Sequence, residues 1–239
     1  LGDRMKDLES AASQRRLMPL LPAVARTEGR CFSNFTRGLD RPFDSRLSEA
    51  MIATTEYLVE QSNARCGYTQ SDEISLVWYE PDRNSQLYFD GRIQKMVSSL
   101  SSEATIFFYR HVVKHFPLEY AEKLPKFDCR IFNVPTLMDA ANCLLWREND
   151  ATKNAISMAA RHYFSHSKLQ NKKGNEMQEM LWQEHQVNFN DYPAFFKRGT
   201  FVRRRTVLTK FDAVLDNLPE KHEARRNPDF VVERSAISR

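Results

Sequence analysis

Along residues 74–79, Ile74, Leu76 and Trp78 alternate with Ser75, Val77 and Tyr79. This two-residue period predicts a strand rather than a helix. A second short run at 65–69 precedes it, and the polar tip Gln70-Ser71-Asp72-Glu73 lies between them, so a hairpin is expected. Elsewhere the period lengthens. Over 44–61, Leu47, Met51, Thr54, Thr55, Leu58 and Val59 recur at three- and four-residue steps, which predicts a helix with Asp44 as its N-cap. Another helix is expected over 92–115, with Ile93, Met96, Val97, Leu100, Ala104, Phe107 and Phe108 on its buried stripe.

Residues 22–27 read as a strand entering a Glu28-Gly29 turn, after which Phe32 and Phe35 return the chain to the core. A fourth strand at 126–134 is closed by Pro135, and residues 136–167 read as helix in two pieces, broken at Glu148-Asn149-Asp150. Residues 1–18 suit an N-terminal helix, with Met5 and Leu8 on one side and Pro19 and Pro22 ending it. Later in the chain come a mobile basic loop at 170–176, a short helix around Met177, Met180 and Leu181, and a basic turn at 197–200. Past Lys210 a loosely attached helix or disorder is expected.

The succession strand, helix, strand, strand, helix, strand is the βαββαβ order of a ferredoxin-like fold. The expected class is therefore α+β, with additional C-terminal helices. Three parts follow along the chain: a core over 1–135, a helical part with basic loops over 136–209, and a polar, basic tail over 210–239.

Composition narrows the function classes. A length of 239 residues fits one domain with appendages. Charged residues make up 28% of the chain, and no apolar run approaches the roughly 20 residues of a membrane span. Arg4, Lys6 and Asp7 do not suit a signal peptide. No membrane association and a cytoplasmic location are expected. Cys31, Cys66, Cys129 and Cys143 form no C-x-x-C pair and are expected as reduced thiols. The formal net charge of +4 is a weak bias towards polyanions, although Arg203-Arg204-Arg205 and the tail concentrate it. Glycine is scarce, at seven residues, so Gly29, Gly67, Gly91 and Gly199, read as turn positions, are expected to meet backbone needs.

In a ferredoxin-like sheet the end of the first strand lies beside the tip of the central hairpin, so Glu28 and Asp72 converge. Two close carboxylates repel one another unless cations sit between them. Oxygen ligands without histidine or cysteine favour Mg²⁺ or Mn²⁺ over zinc. Phosphoryl and nucleotidyl transfer use such metal pairs. Arg30, Arg41, Arg92 and Lys95 could balance a triphosphate, the last two at a helix start whose free N–H groups also attract anions. The competing readings are a plain polar turn at Ser71-Asp72-Glu73 and ordinary solvated charge at the basic residues. His162 and His166 stand four apart but lack a third ligand, and there is no Walker-type phosphate loop.

The strings E-G-R-C-F-S-N-F-T-R-G, R-P-F-D, G-Y-T-Q-S-D-E-I-S-L, F-D-C-R-I-F-N-V-P, W-R-E-N-D-A-T-K-N-A-I-S and K-R-G-T occur in that order. Together they resemble the histidine-tRNA guanylyltransferase family of 3′–5′ polymerases over residues 2–205, most of all its bacterial, archaeal and phage-type branch. Members that add an untemplated G carry a histidine- and asparagine-rich segment where this chain has Asp150-Ala151-Thr152-Lys153-Asn154. The resemblance implies a polymerase-type palm over 1–135 and a homotetramer, a dimer of dimers. It also implies template-dependent addition of nucleotides to the 5′-end of truncated tRNA after activation by ATP or GTP, with two Mg²⁺ ions (Mn²⁺ possible).

Carried over by position, Glu28, Asp72 and Glu73 are catalytic, and Glu28, Asp72 and the Gly29 carbonyl hold metal. Gly29, Arg30, Cys31, Phe32, Ser33, Arg41, Asp44, Ser71, Arg92, Lys95 and Asn154 bind nucleotide, with Asp150 in support. Lys172, Lys173, Lys197, Arg198, Arg203, Arg204 and Arg205 are the expected tRNA contacts. One departure stands out: the family usually has Asp-Gly where this chain has Glu28-Gly29, which implies altered metal preference, reduced rate or a compensating shift. Three rival readings remain: addition of a single G to histidine tRNA, a nucleotide cyclase on the same palm, and an RNA-binding module that has lost its chemistry.

Overall fold

A computed structural model describes residues 1–82, 86–210, 219, 221–227 and 229–239. The elements along the first half are α1 (Gly2–Ser13), β1 (Ala23–Gly29), α2 (Phe32–Phe35), α3 (Ser45–Gln61), β2 (Cys66–Gln70), β3 (Glu73–Trp78), α4 (Ile93–His115) and α5 (Leu118–Glu122). They are followed by β4 (Phe127–Asn133), α6 (Leu137–Tyr163), α7 (His166–Leu169), α8 (Gly174–His185), α9 (Ala194–Arg198), β5 (Thr200–Lys210) and β6 (Val231–Ser238). The strands form one sheet in the order β4-β1-β3-β2-β5-β6, each antiparallel to its neighbours. The first four have the ferredoxin-like order, and the class is α+β.

Strand alternation decides which side chains meet which layer. Ala25, Ile74, Leu76 and Trp78 face α3 and α4, where Met51, Leu58, Met96, Leu100 and Phe108 complete the main core. The opposite face buries Val24, Tyr68 and Val77 beneath Ala140 and Leu144 of α6. Asp44 caps α3 as expected, accepting the Arg46 backbone N–H at 2.9 Å.

Several expectations are corrected. The helix after β4 is unbroken for 27 residues. The carboxylates at 148 and 150 are matched by arginines within a continuous helix: Glu148 pairs with Arg198 of α9 at 3.6 Å, and Asp150 with Arg147, one turn earlier on α6, at 3.2 Å. The first helix stops at Ser13, well before Pro19, and buries none of its residues. The basic loop at 170–176 is shorter than expected, since α8 begins at Gly174, with the Glu176 carboxylate accepting the Lys173 N–H at 2.8 Å.

Gly67 lies inside β2 rather than at a turn. A Cβ there would come within 2.8 Å of Thr55 and Val59, so the residue serves close packing of α3 on the sheet. Phe132, on the face of β4 that carries Asp128 and Arg130, is 43% exposed, whereas Trp78 is 1% exposed.

The largest correction lies at the C-terminus. Residues 231–238 form β6, paired with β5 from Lys210↔Val231 to Arg203↔Ser238. The Arg239 guanidinium then meets Glu49 and Glu56 of α3, each at 2.7 Å. Residues 211–218, the start of the expected loose helix, lie outside the described residues. The boundary expected at residue 135 falls between β4 and α6, yet β5, from beyond it, pairs with β2. Among the described residues, no helix is long and apolar enough to cross a membrane. The four cysteines are free thiols.

Candidate active site

The register of three strands creates two rows of charge on one face of the sheet. Glu28 on β1 stands opposite Asp128 on β4 and Glu73 on β3. One step along the same face, Arg26 stands opposite Arg130 and Ser75. Arg130 reaches back to Glu28 Oε2 and Asp128 Oδ1, each at 3.4 Å. Arg26 Nε, buried and without a hydrogen-bond partner among the described residues, lies 3.8 Å from Glu73 Oε2.

From above, α6 lowers Arg147 onto this face. Its Nε donates to Glu73 Oε1 at 2.6 Å and its Nη1 to Asp150 Oδ2 at 3.2 Å. The Arg147 guanidinium also lies 4.6 Å from the centre of the exposed Trp146 ring.

The tip of the β2–β3 hairpin is tied to the end of β1, where Gly29 N–H donates to the Asp72 carbonyl at 2.9 Å. This bond brings Asp72 beside Glu28, as the ferredoxin-like order predicts. Burial pushes the Asp72 carboxyl above the usual carboxylate range; hydrogen bonds from its own backbone N–H and from Ser71 oppose this, and repulsion by Glu28 adds to it. No basic side chain forms an ion pair with Asp72 among the described residues. Burial raises Glu73 as well, against the lowering effect of Arg147 and Arg26.

The donor set has a clear chemical preference. Asp72 is a partly buried carboxylate repelled by a second carboxylate and paired with no cation, and the nearby donors are all oxygen. These residues fit a hard divalent cation that keeps several waters and takes only one or two protein carboxylates. A full shell from protein side chains is not present: no group of three or more His, Cys, Asp or Glu among the described residues could close around an ion.

Beyond Gly29 the backbone folds tightly. Arg30 N–H donates to the Lys126 carbonyl at 2.7 Å, and Cys31 adopts a left-handed conformation at φ 55°. Phe32 and Phe35 then anchor the turn among Phe108 and Phe127, with ring centroids 5.1–5.6 Å apart between these partners. A Cβ on Gly29 would lie 2.3 Å from the Phe32 ring. Gly29→Ala is therefore expected to displace that ring and destabilise the fold by about 1–3 kcal/mol, read as a lower urea midpoint with an unchanged m-value.

Comparison with known proteins decides the family. The profile of the Thg1 family, tRNAHis guanylyltransferase, matches residues 2–135. The chain belongs to the tRNAHis guanylyltransferase family. A bacterial Thg1-like protein solved with ATP shares 36% identity and a TM-score of 0.79, covering 84% of this chain and 87% of its own. A bacterial Thg1-like protein solved with GTP shares 29% identity and a TM-score of 0.74, covering 99% of this chain and 89% of its own. The Saccharomyces cerevisiae tRNA(His) guanylyltransferase is 27% identical over 214 residues, spanning 83% of this chain and 89% of the yeast protein. This Thg1-family chain is accordingly a nucleotidyltransferase.

In this family member, the residues expected from sequence are only partly gathered. Glu28, Gly29, Asp72, Glu73 and Ser71 surround one point, and Asp150 joins them through Arg147. Arg30, Cys31, Phe32 and Ser33 form the turn beside it, though Phe32 faces the core. Asn154 is exposed on α6, one turn beyond Asp150. Arg41 is exposed, whereas Asp44 is 4% exposed and held by Arg46 at 2.6 Å.

Arg92 and Lys95 lie apart, at the N-terminal end of α4. Phe108, which packs on Phe32, is thirteen residues further along the helix than Lys95, a rise of about 20 Å. Arg203 and Arg205 are exposed on the same sheet face as Glu28, because Cys66 pairs with both Arg203 and Val77. Arg204 points the other way and donates to Val59 O, Glu60 O and Asn63 Oδ1 at 3.2, 3.1 and 2.7 Å, so its guanidinium caps the end of α3. Lys172 and Lys173 precede α8, and Lys197 and Arg198 end α9.

Sequence reasoning passed over Arg26, Arg130 and Arg147. A signal existed for Arg26, which stands two residues before Glu28 and so shares its strand face. Arg147 lies within the W-R-E-N-D string, but only the docking of α6 shows which carboxylate it meets.

Proposed function

We propose that this Thg1-family nucleotidyltransferase adds nucleotides in the 3′–5′ direction to the 5′-end of truncated tRNA, directed by the opposite strand. The supporting observation is Asp72, a carboxylate without a cationic partner, set beside Glu28 on the sheet face that also presents Arg203 and Arg205. Lys172, Lys173, Lys197, Arg198, Arg203 and Arg205 would contact tRNA phosphates, while Arg204 would act indirectly by fixing β5 against α3.

The tRNA 5′-end is first activated by ATP or GTP, or already bears a triphosphate. The 3′-hydroxyl oxygen of the incoming nucleotide then attacks the 5′-terminal phosphorus, the new phosphodiester bond forms, and adenylate, guanylate or pyrophosphate departs. Glu28, Asp72 and the Gly29 carbonyl would hold two Mg²⁺ or Mn²⁺ ions, which when bound activate the attacking oxygen and neutralise the leaving group. The turn from Gly29 to Ser33, with Ser71, would cradle the triphosphate, while Arg41, Asp44 and Asn154 contact the activating nucleotide. Arg92 and Lys95 would meet phosphate at a separate place on the surface. Glu73, held by Arg147, would keep the hairpin tip oriented. A homotetramer working in the cytoplasm completes the reading.

Addition of a single G to histidine tRNA is the second reading, favoured by the naming of the yeast relative. Both are tested with Mg²⁺, ATP, labelled GTP and histidine tRNA, full-length or lacking its first nucleotide, with Asp72→Asn as control. Template-matched extension of the shortened tRNA supports the proposal. One untemplated G on the full-length tRNA supports the second reading. Binding without extension in either metal overturns both.

The longer carboxylate at position 28 gives a further expectation. Glu28 is one methylene longer than the family's usual aspartate and its carboxylate is engaged by Arg130, and Mg²⁺ tolerates distorted geometry poorly. Glu28→Asp is expected to raise the Mg²⁺-supported rate relative to the Mn²⁺-supported rate several-fold. An unchanged ratio would show that the backbone already compensates.

A further inference from the structure

Beside the Glu28-Gly29 turn, on its β4 side, lies an open cavity of 620 Å³ that shares Arg30 and Cys31 with the proposed nucleotide turn and is otherwise lined by residues the proposed chemistry does not use. Arg30 and Arg37 line it from the turn, and Lys123 and Lys126 from the link between α5 and β4. Phe35 and Leu124 contribute apolar wall. No acidic residue lines it, and none of the four cations is paired with a carboxylate among the described residues. Elsewhere on this surface the arginines nearest the site, Arg26, Arg130 and Arg147, are all matched by carboxylates. Four unmatched cations around one concavity repel one another and focus a positive potential into it, which an anion relieves.

The cavity is held in shape. Lys123 Nζ donates to the Phe35 and Arg37 carbonyls, both at 3.0 Å, and Arg30 N–H is fixed to the Lys126 carbonyl. It is also on the opposite flank of β1 from Ser71 and Asp72, because β1 lies between β4 and β3 in the sheet. A triphosphate held between Ser71 and the Gly29–Ser33 turn would therefore leave the far wall, with Arg37, Lys123 and Lys126, free.

We infer that this cavity is a phosphate subsite for the RNA itself, taking backbone phosphate next to the reacting 5′-end while the nucleotide occupies the β3 flank. The inference rests on the reading of the protein as acting on tRNA. Phosphate contacts of this type fix the register of a strand without reading its sequence, which suits an enzyme that must hold the terminal phosphorus at the carboxylates. The apolar walls suit ribose.

The test is a tRNA titration of the full chain in chelator without nucleotide, at several salt concentrations, for the wild type and the Arg37→Gln/Lys126→Gln double variant. Neither residue belongs to the proposed catalytic or nucleotide site, and circular dichroism verifies that the variant folds. The double variant is expected to bind tRNA about tenfold more weakly, with the slope of log affinity against log salt reduced by about two. Its affinity for ATP and for pyrophosphate should equal the wild type's. An unchanged slope overturns the subsite. Weakened ATP or pyrophosphate binding with tRNA binding intact also overturns it, assigning the cavity to free nucleotide. Extension by the wild type alongside an unchanged variant slope refutes this inference alone; tRNA binding without extension, with a reduced slope in the variant, refutes the polymerase reading and leaves the subsite standing.

Discussion

Asp72→Asn is expected to lower nucleotidyl transfer by about 10³-fold or more, and yet to raise the melting temperature in metal-free buffer by a few degrees. Both effects come from the same carboxylate. Burial, joined by repulsion from Glu28, makes its ionised form unfavourable in the fold. A carboxyl group whose folded pKa lies above the unfolded value contributes stability below the unfolded value and loses it as pH rises through the folded one. At neutral pH the wild type has lost that contribution, while asparagine cannot titrate. The stability gap should therefore open between acid and neutral pH, measured by thermal melts across that range. Saturating Mg²⁺ should narrow it, because ligand binding to the native wild type stabilises it by mass action. A variant equal in stability to the wild type at every pH would sink the claim that Asp72 is held at an energetic disadvantage for the sake of a cation.

The second large effect is expected at Arg147. Replacing it with glutamine should reduce kcat/KM by about 10²-fold and move the acidic limb of the pH–rate profile upward. Arg147 is the leading influence that lowers the Glu73 pKa against burial, so its loss lets burial raise Glu73 further. With Glu73 proposed as a carboxylate that supports catalysis in its ionised form, its protonation at a higher pH should make activity fail sooner on acidification. Asp150→Asn removes the other carboxylate bound by Arg147 without touching the Arg147–Glu73 bond, and its acidic limb should stay in place. A uniform drop in rate with no change in profile for Arg147→Gln would reduce Arg147 to a strut between α6 and the sheet.

These two residues also mark what could be read in advance. Asp72 was legible because the alternation of Ile74, Leu76 and Trp78 declares a strand, the ferredoxin-like order sets its neighbour, and Glu28 then has one place to be. The N-cap at Asp44, the span of α4 and the return of Phe32 and Phe35 to the core were legible for the same reason: each depends on spacing over a few residues. Arg147 was not, since nothing local says which carboxylate a helix will lower it onto.

The unbroken α6 shows the same limit. Glu148-Asn149-Asp150 reads as a break by polarity, yet Glu148 meets Arg198 of α9 and Asp150 meets Arg147 one turn earlier on α6, so the charge is matched without interrupting the helix. Arg204 resembles its exposed neighbours in sequence, but the alternation of β5 turns it onto the end of α3. Val231–Ser238 carries no strong signal of its own and becomes a strand because β5 leaves an edge unpaired.

The sequence by itself thus determined the elements with a strong local period, the order of the central sheet and the meeting of Glu28 with Asp72. Only the tertiary structure decided the arginine partners of the carboxylates, the two added strands and the basic cavity beside the turn. The physical reason is range: periodicity and capping act over one or two turns of chain, whereas ion pairs and edge pairing depend on which distant surfaces come into contact.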